Sequence, residues 1–225
     1  MDLDQSPERR WLPIIQAFEP QLAEIKDESL SFFDGKIRPY LREHNVASMD
    51  VFYDMAYAAL PAEMRAEMKG IFTTFPRVER NLLLVMNLFY ELHTACTSSV
   101  ARKSQTFADN LIHGRNLDLF YPVVDDLMRS MGQNVIRNMV ININFRRSEE
   151  IVYRGTNFVG QIYPLEGMKY GKFSYSQNSR ENTPEEAIGN VIEWAKGRRI
   201  GPGERTESCS LVLRPSRCKK ILSLD

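Results

Sequence analysis

Apolar positions between residues 7 and 95 recur at helical spacing. Ile14, Ile15, Phe18, Leu22 and Ile25 follow Pro7 and Pro13, which mark the entry to a first helix. Phe32, Phe33, Ile37, Tyr40 and Leu41 predict a second amphipathic segment. Ser48-Met49-Asp50 reads as the cap of a helix running through Ala59, and Pro61 as the first turn of the next. After Pro76, NLLLVMNLFYELHTA (81–95) is apolar on nearly every side, which predicts a buried helix. Its most apolar part, Leu82 to Tyr90, is too short to span a bilayer.

The period changes at Cys96. CTSSV and NLIHGRNLD predict two strands joined by the polar loop ARKSQTFAD, and MVININF (139–145) alternates strictly, as a half-buried strand does. IVYRGTNFVGQIYPLEG and KYGKFSYSQ continue as antiparallel strands, with Arg146-Arg147-Ser148-Glu149 and Glu166-Gly167 as turns. Thr183-Pro184-Glu185-Glu186 is a helix start, with Thr183 as cap. That helix carries Ala187, Ile188, Val191, Ile192 and Trp194 and ends near Gly197. The remainder is basic, turn-rich and weakly periodic, and is expected to be a tail. Helices, then strands, then a helix indicate the α+β class rather than βαβ alternation. The working division is a helical region 1–95, a strand-rich region 96–199 and a basic tail 200–225.

Composition narrows the function. The 225 residues suffice for one large domain or two small ones, and 43% hydrophobic residues supply a core. Zero formal net charge argues against a general nucleic-acid binder. The charged start, MDLDQSPERRWLPII, lacks the apolar stretch of a secretory signal, so the chain as written is expected in the cytosol. Cys96, Cys209 and Cys218 are too few for a disulfide framework, and none has zinc-ligand spacing with histidine. No metal or cofactor is suggested. Cys209 and Cys218 can pair in an oxidising compartment, which leaves Cys96 alone.

Cys96 has two readings: a small buried hydrophobe, or a nucleophile whose thiolate a neighbouring cation favours. In a hairpin the second strand runs back past the first, so Arg115 can reach the Cys96 region and Asp118 can orient that arginine or an amine. The same two residues also suit a plain ion pair at a strand end, worth about 0 to 1 kcal/mol when exposed. His113 reads either as a general base or as a satisfied strand histidine, and His93 is equally ambiguous.

Together, SPERRWLPII, NLFYELHTACTSSV, LIHGRNLD, VININF, TNFVGQIYPLEGMKYGKFSYS and VIEWAKGRR resemble, in order, segments of the acid ceramidase and N-acylethanolamine-hydrolysing acid amidase family. The resemblance runs from about Ser6 to Arg199, and the combination of CTS with HGRNLD is its specific part. These are N-terminal nucleophile hydrolases, so the resemblance implies a helical segment followed by part of an antiparallel αββα sandwich.

The resemblance further implies self-cleavage at Ala95–Cys96 and a heterodimer of the chain's own halves. It assigns catalysis to Cys96, Arg115 and Asp118, with the new α-amino group as base. The implied substrate is a fatty-acyl amide of a lipid, an N-acylethanolamine or a ceramide, in a lysosomal setting that allows contact with a membrane surface. Departures accompany it. The loop between Cys96 and Arg115 is slightly longer than in the family, and Ser179 stands where the family carries a glutamate, with Glu181 two residues on. The NYD-type asparagine of the family's oxyanion site and a later arginine are not found, so the chain is expected to be truncated at its C-terminus. The alternative reading is a catalytically inactive relative that binds lipid or a partner.

Overall fold

The computed structural model describes residues 1–92, 95–102, 111–118, 138–177, 183–197 and 210–213. Its first half is helical: α1 (Pro7–Arg10), α2 (Leu12–Ile37), α3 (Met49–Ala59), α4 (Ala62–Thr74) and α5 (Arg80–Leu92). The two amphipathic segments expected over residues 14–41 merge into one helix up to Ile37, and a 3-10 turn, Arg38–Tyr40, follows it. Ile15, Leu22, Ile25, Ser29, Phe33 and Ile37 form a single buried stripe at three-, four- and seven-residue steps, and Pro20 within it is exposed. The Ser48 side chain accepts from Val51 N at the start of α3, as its sequence predicts. Pro61 is the cap of α4 rather than its first helical residue.

α1 crosses α4 at Gly70, where any Cβ would collide with the backbone of Glu8. The same contact buries charge. Arg10 pairs with Glu63 and, at 3.0 Å, with Glu67, whose other oxygen accepts from Trp11 Nε1 at 3.0 Å. Burial pushes the Glu67 carboxyl above the usual range, and the bonds from Trp11 and Arg10 oppose that push.

The second half forms two antiparallel sheets. A two-stranded ribbon joins β1 (Ala95–Arg102) to β2 (Leu111–Asp118). A five-stranded sheet runs in the order β3 (Val140–Arg147), β4 (Glu150–Phe158), β5 (Glu166–Lys169), β6 (Phe173–Gln177) and β7 (Ser210–Leu213). Helix α6 (Pro184–Ala195) opens with a full capping box between Thr183 and Glu186 and closes at Gly197, whose φ is +71°. The structure is α+β, as the pattern of periods indicates.

Three details differ from the sequence expectation. Arg146 and Arg147 extend β3, and the turn is Ser148-Glu149 alone, both at positive φ as a type I′ turn requires. Glu166 and Gly167 belong to β5, because their backbones pair with Thr156 and Gly155 on one side and with Ser176 and Tyr175 on the other. Within the expected tail, residues 210–213 pair with β6 as β7.

The five-stranded sheet is two-sided. Ile143, Phe145, Tyr153 and Tyr175 share one face, and Ile143 and Phe145 join a core that includes α2, α5 and α6. Phe145 and Tyr153 stack there with ring centres 4.1 Å apart. On the other face stand Asn142, Asn144, Arg154, Thr156, Glu166, Ser174 and Ser176, and the ribbon packs on its β6 side. A polar cluster also ties the two halves together. His44 Nδ1 lies 3.1 Å from Glu193 Oε1 on α6, and Lys196 Nζ donates to both Glu193 and the His44 carbonyl.

Candidate active site

The site lies where the ribbon meets the polar face of the sheet. In the ribbon, Ala95 pairs with Asp118, Cys96 with Leu117 and Ser98 with Arg115. The junction between Ala95 and Cys96 therefore opposes Leu117 and Asp118 across one backbone ladder, with Arg115 one strand period further on. The hairpin needed to bring these positions together is present. The side chains of Cys96 and Asp118 lie outside the described residues, as do His93, Ser179, Cys209 and Cys218.

Arg115 is the best-defined charged group. Its side chain is only 7% exposed, which is unusual for an arginine and demands partners. Nη2 donates to the Gln177 carbonyl at 2.6 Å, and Nη1 lies 3.7 Å from Glu166 Oε2. β6 thus presents a backbone carbonyl, and β5 a carboxylate, to one buried guanidinium. Both steer the planar fork, the Gln177 carbonyl through a short hydrogen bond and Glu166 through a longer ionic contact. A cation held in this way can stabilise a thiolate or a developing oxyanion nearby.

Two serines of β6 fix the ribbon beside it. Ser98 Oγ lies 2.7 Å from Ser176 Oγ. His113 Nδ1 lies 2.9 Å from Ser174 Oγ, and its Nε2 lies 3.3 Å from Ser176 Oγ. Both ring nitrogens are engaged, so His113 is the satisfied strand histidine of the two readings its sequence left open. Burial lowers its pKa below the usual histidine value, Arg115 lowers it further and Glu166 opposes.

A base with a depressed folded-state pKa binds protons more weakly when folded. Its contribution to stability is complete above the ordinary histidine value and is lost as the pH falls through that value toward the folded one. His113→Gln, which cannot titrate, is expected to flatten the loss of stability between neutral and mildly acidic pH. Urea midpoints measured at several pH values check this; parallel curves for the two proteins would remove His113 as a source of the acid sensitivity.

Sequence reasoning missed Glu166, Gln177, Ser98, Ser174 and Ser176. One signal for part of this was present. In FSYSQ the aromatic and serine positions alternate, so one face of that strand carries hydroxyls that need partners when covered. No such signal marked Glu166, which reads as half of a Glu-Gly turn.

The chain is 30% identical over 210 residues to acid ceramidase of Pan troglodytes, a match that covers 88% of this chain and 49% of that protein. It is also 30% identical over 184 residues to N-acylethanolamine-hydrolyzing acid amidase of Cavia porcellus, covering 80% of this chain and 45% of that protein. The chain belongs to the acid ceramidase and acid amidase family. A probable acid ceramidase of Caenorhabditis elegans matches at 29% over 204 residues, with 88% and 48% covered. This member of the family spans about half the length of the curated relatives it matches. No family model matches it.

Proposed function

We propose that this chain is a cysteine amidase that cuts its own backbone at Ala95–Cys96 and then hydrolyses fatty-acyl amides of lipids, with Cys96, Arg115 and Asp118 as its working residues. The observation that carries the reading is the ribbon register. It sets the Cys96 junction opposite Leu117 and Asp118, one strand period from a buried arginine steered by Gln177 and Glu166.

In the self-cleavage, the Cys96 thiol gives up its proton and its sulfur attacks the Ala95 carbonyl carbon. The C–N bond breaks as a thioester forms, and water then splits the thioester. The products are an Ala95 carboxylate and a free Cys96 amine and thiol.

The freed α-amine has an ordinary pKa near 8, within reach of its own thiol, so no separate histidine is needed as base. In turnover the thiol proton passes to the leaving amine, the acyl group becomes a thioester on sulfur, and water releases the fatty acid and restores the thiol. Arg115 favours the anionic sulfur and the oxyanion, and Asp118 orients the α-ammonium group. The halves remain together as an α/β pair, and the family setting is lysosomal. An N-acylethanolamine or a ceramide fits this chemistry equally.

Intact mass spectrometry of the purified chain before and after acidic incubation tests the reading. Two fragments that meet at residues 95 and 96, with hydrolysis of an N-acyl lipid amide appearing alongside them, are expected. An intact chain without turnover at every acidic pH would sink it. The second reading, an inactive relative that binds lipid, is favoured by Ser179 in place of the family glutamate. Lipid binding by an uncut, inactive chain would be its signature.

A further inference from the structure

Asn87 lies on α5, five residues before the helix ends and eight before Ala95. It is 1% exposed in an otherwise apolar stretch, between buried Leu82, Leu83, Leu84, Val85 and Leu88. Its amide nitrogen donates to the Leu83 carbonyl at 2.8 Å and to the Gly160 carbonyl at 2.9 Å. Its amide oxygen accepts from Ile162 N at 2.8 Å, and its backbone carbonyl accepts from Tyr163 Oη at 3.2 Å. Three of these four bonds cross from the helical half to the connection between β4 and β5.

The connection is shaped to receive this side chain. Gly160 has a φ of +94°, and a Cβ there would stand 3.3 Å from Met86 Cγ and 3.5 Å from Leu22 Cδ2. Apolar packing already buries α5 and would tolerate a leucine at position 87 by volume. Directional bonds do what apolar packing cannot: they fix the helix's rotation and its height against the sheet. A slip of one residue turns a helix by about 100° and would break all three cross-bonds at once.

We propose that Asn87 is a positioning residue for self-cleavage, locking α5 on the sheet so that the chain leaving the helix delivers the Ala95–Cys96 junction to its place opposite Leu117 and Asp118. This rests on the amidase reading above. Asn87 touches no reacting atom; it acts through the helix.

The test follows the cut by intact mass in wild type, Asn87→Asp, Asn87→Leu and Tyr163→Phe over a range of pH, with urea midpoints measured alongside. An ionised aspartate cannot donate to Gly160, whereas a protonated one donates once and still accepts from Ile162. Asn87→Asp is therefore expected to cut at least about tenfold more slowly than wild type near neutral pH and to recover as the pH falls. Asn87→Leu should be slow at every pH. A merely structural role would shift the urea midpoints without this change in the pH profile.

A folded Asn87→Asp chain that cuts with the wild-type rate and pH profile overturns the proposal. Should that variant fail to fold, Tyr163→Phe reads the same junction: a slower cut at an unchanged urea midpoint supports the proposal, and a wild-type rate overturns it. A wild-type chain that is never cut removes the amidase reading itself, and the proposal with it, which separates the two failures.

Discussion

Cys96→Ala is expected to leave the chain in one piece after acidic incubation and to lower N-acyl amide hydrolysis by at least about 10³-fold. Under the proposed function both effects have one cause, because the same sulfur would open the backbone and then attack substrate. Folding should change little, since the paired backbone of β1 does not depend on the thiol. Cys96→Ser separates the steps. A hydroxyl is a weaker nucleophile without a strong base, so a slow cut with negligible turnover is expected. Intact mass and release of fatty acid from a lipid amide are the two readouts. An alanine variant that still splits between residues 95 and 96 would assign the cut to a contaminating protease and leave Cys96 without a role in it.

Arg115→Ala is expected to lower turnover by about 10²–10³-fold, the range for removing one preorganised donor to a developing oxyanion. It should also destabilise the fold by about 1.5–3 kcal/mol, since the Gln177 carbonyl loses a charged donor on a covered part of the sheet and Glu166 loses its cation. Arg115→Lys discriminates between charge and geometry. An ammonium keeps the charge but cannot span the two partners with a planar fork. Stability near wild type with turnover still reduced at least about tenfold is therefore expected. Measured kcat/KM and urea midpoints check both variants. Full activity in Arg115→Ala would end its part in the chemistry and leave a structural arginine that ties the ribbon to β6.

Much of this architecture was legible from periodicity. The caps at Ser48 and Thr183, the strand over MVININF and the ribbon around Cys96 and Arg115 follow from local rules, and the structure agrees with each. Two kinds of feature were not legible. Strand or turn is decided by pairing when the local signal is a short polar doublet, and Glu166-Gly167 is in a strand because β4 and β6 bracket it. Continuity of a helix is decided by its buried stripe, and Pro20 did not interrupt a stripe that runs to Ile37.

The site shows the same division. Sequence could nominate Cys96, Arg115 and Asp118, yet it offered no way to see that Arg115 is aimed by a backbone carbonyl of one strand and a carboxylate of another. Backbone acceptors have no residue-type signature. Likewise, an asparagine amid leucines looks like a blemish in an apolar helix until its partners at residues 160 and 162 are placed beside it.

The core does not respect the boundary at residue 95. Leu82, Leu83, Leu84, Val85 and Leu88 are buried in one cluster with Ile143, Val159, Ile188 and Trp194, and His44 is tethered to α6 from outside. Severing a single peptide bond would therefore free neither fragment. A nicked molecule would travel as one particle through a sizing column and split into two bands only in detergent, and pieces expressed separately would need each other to become soluble.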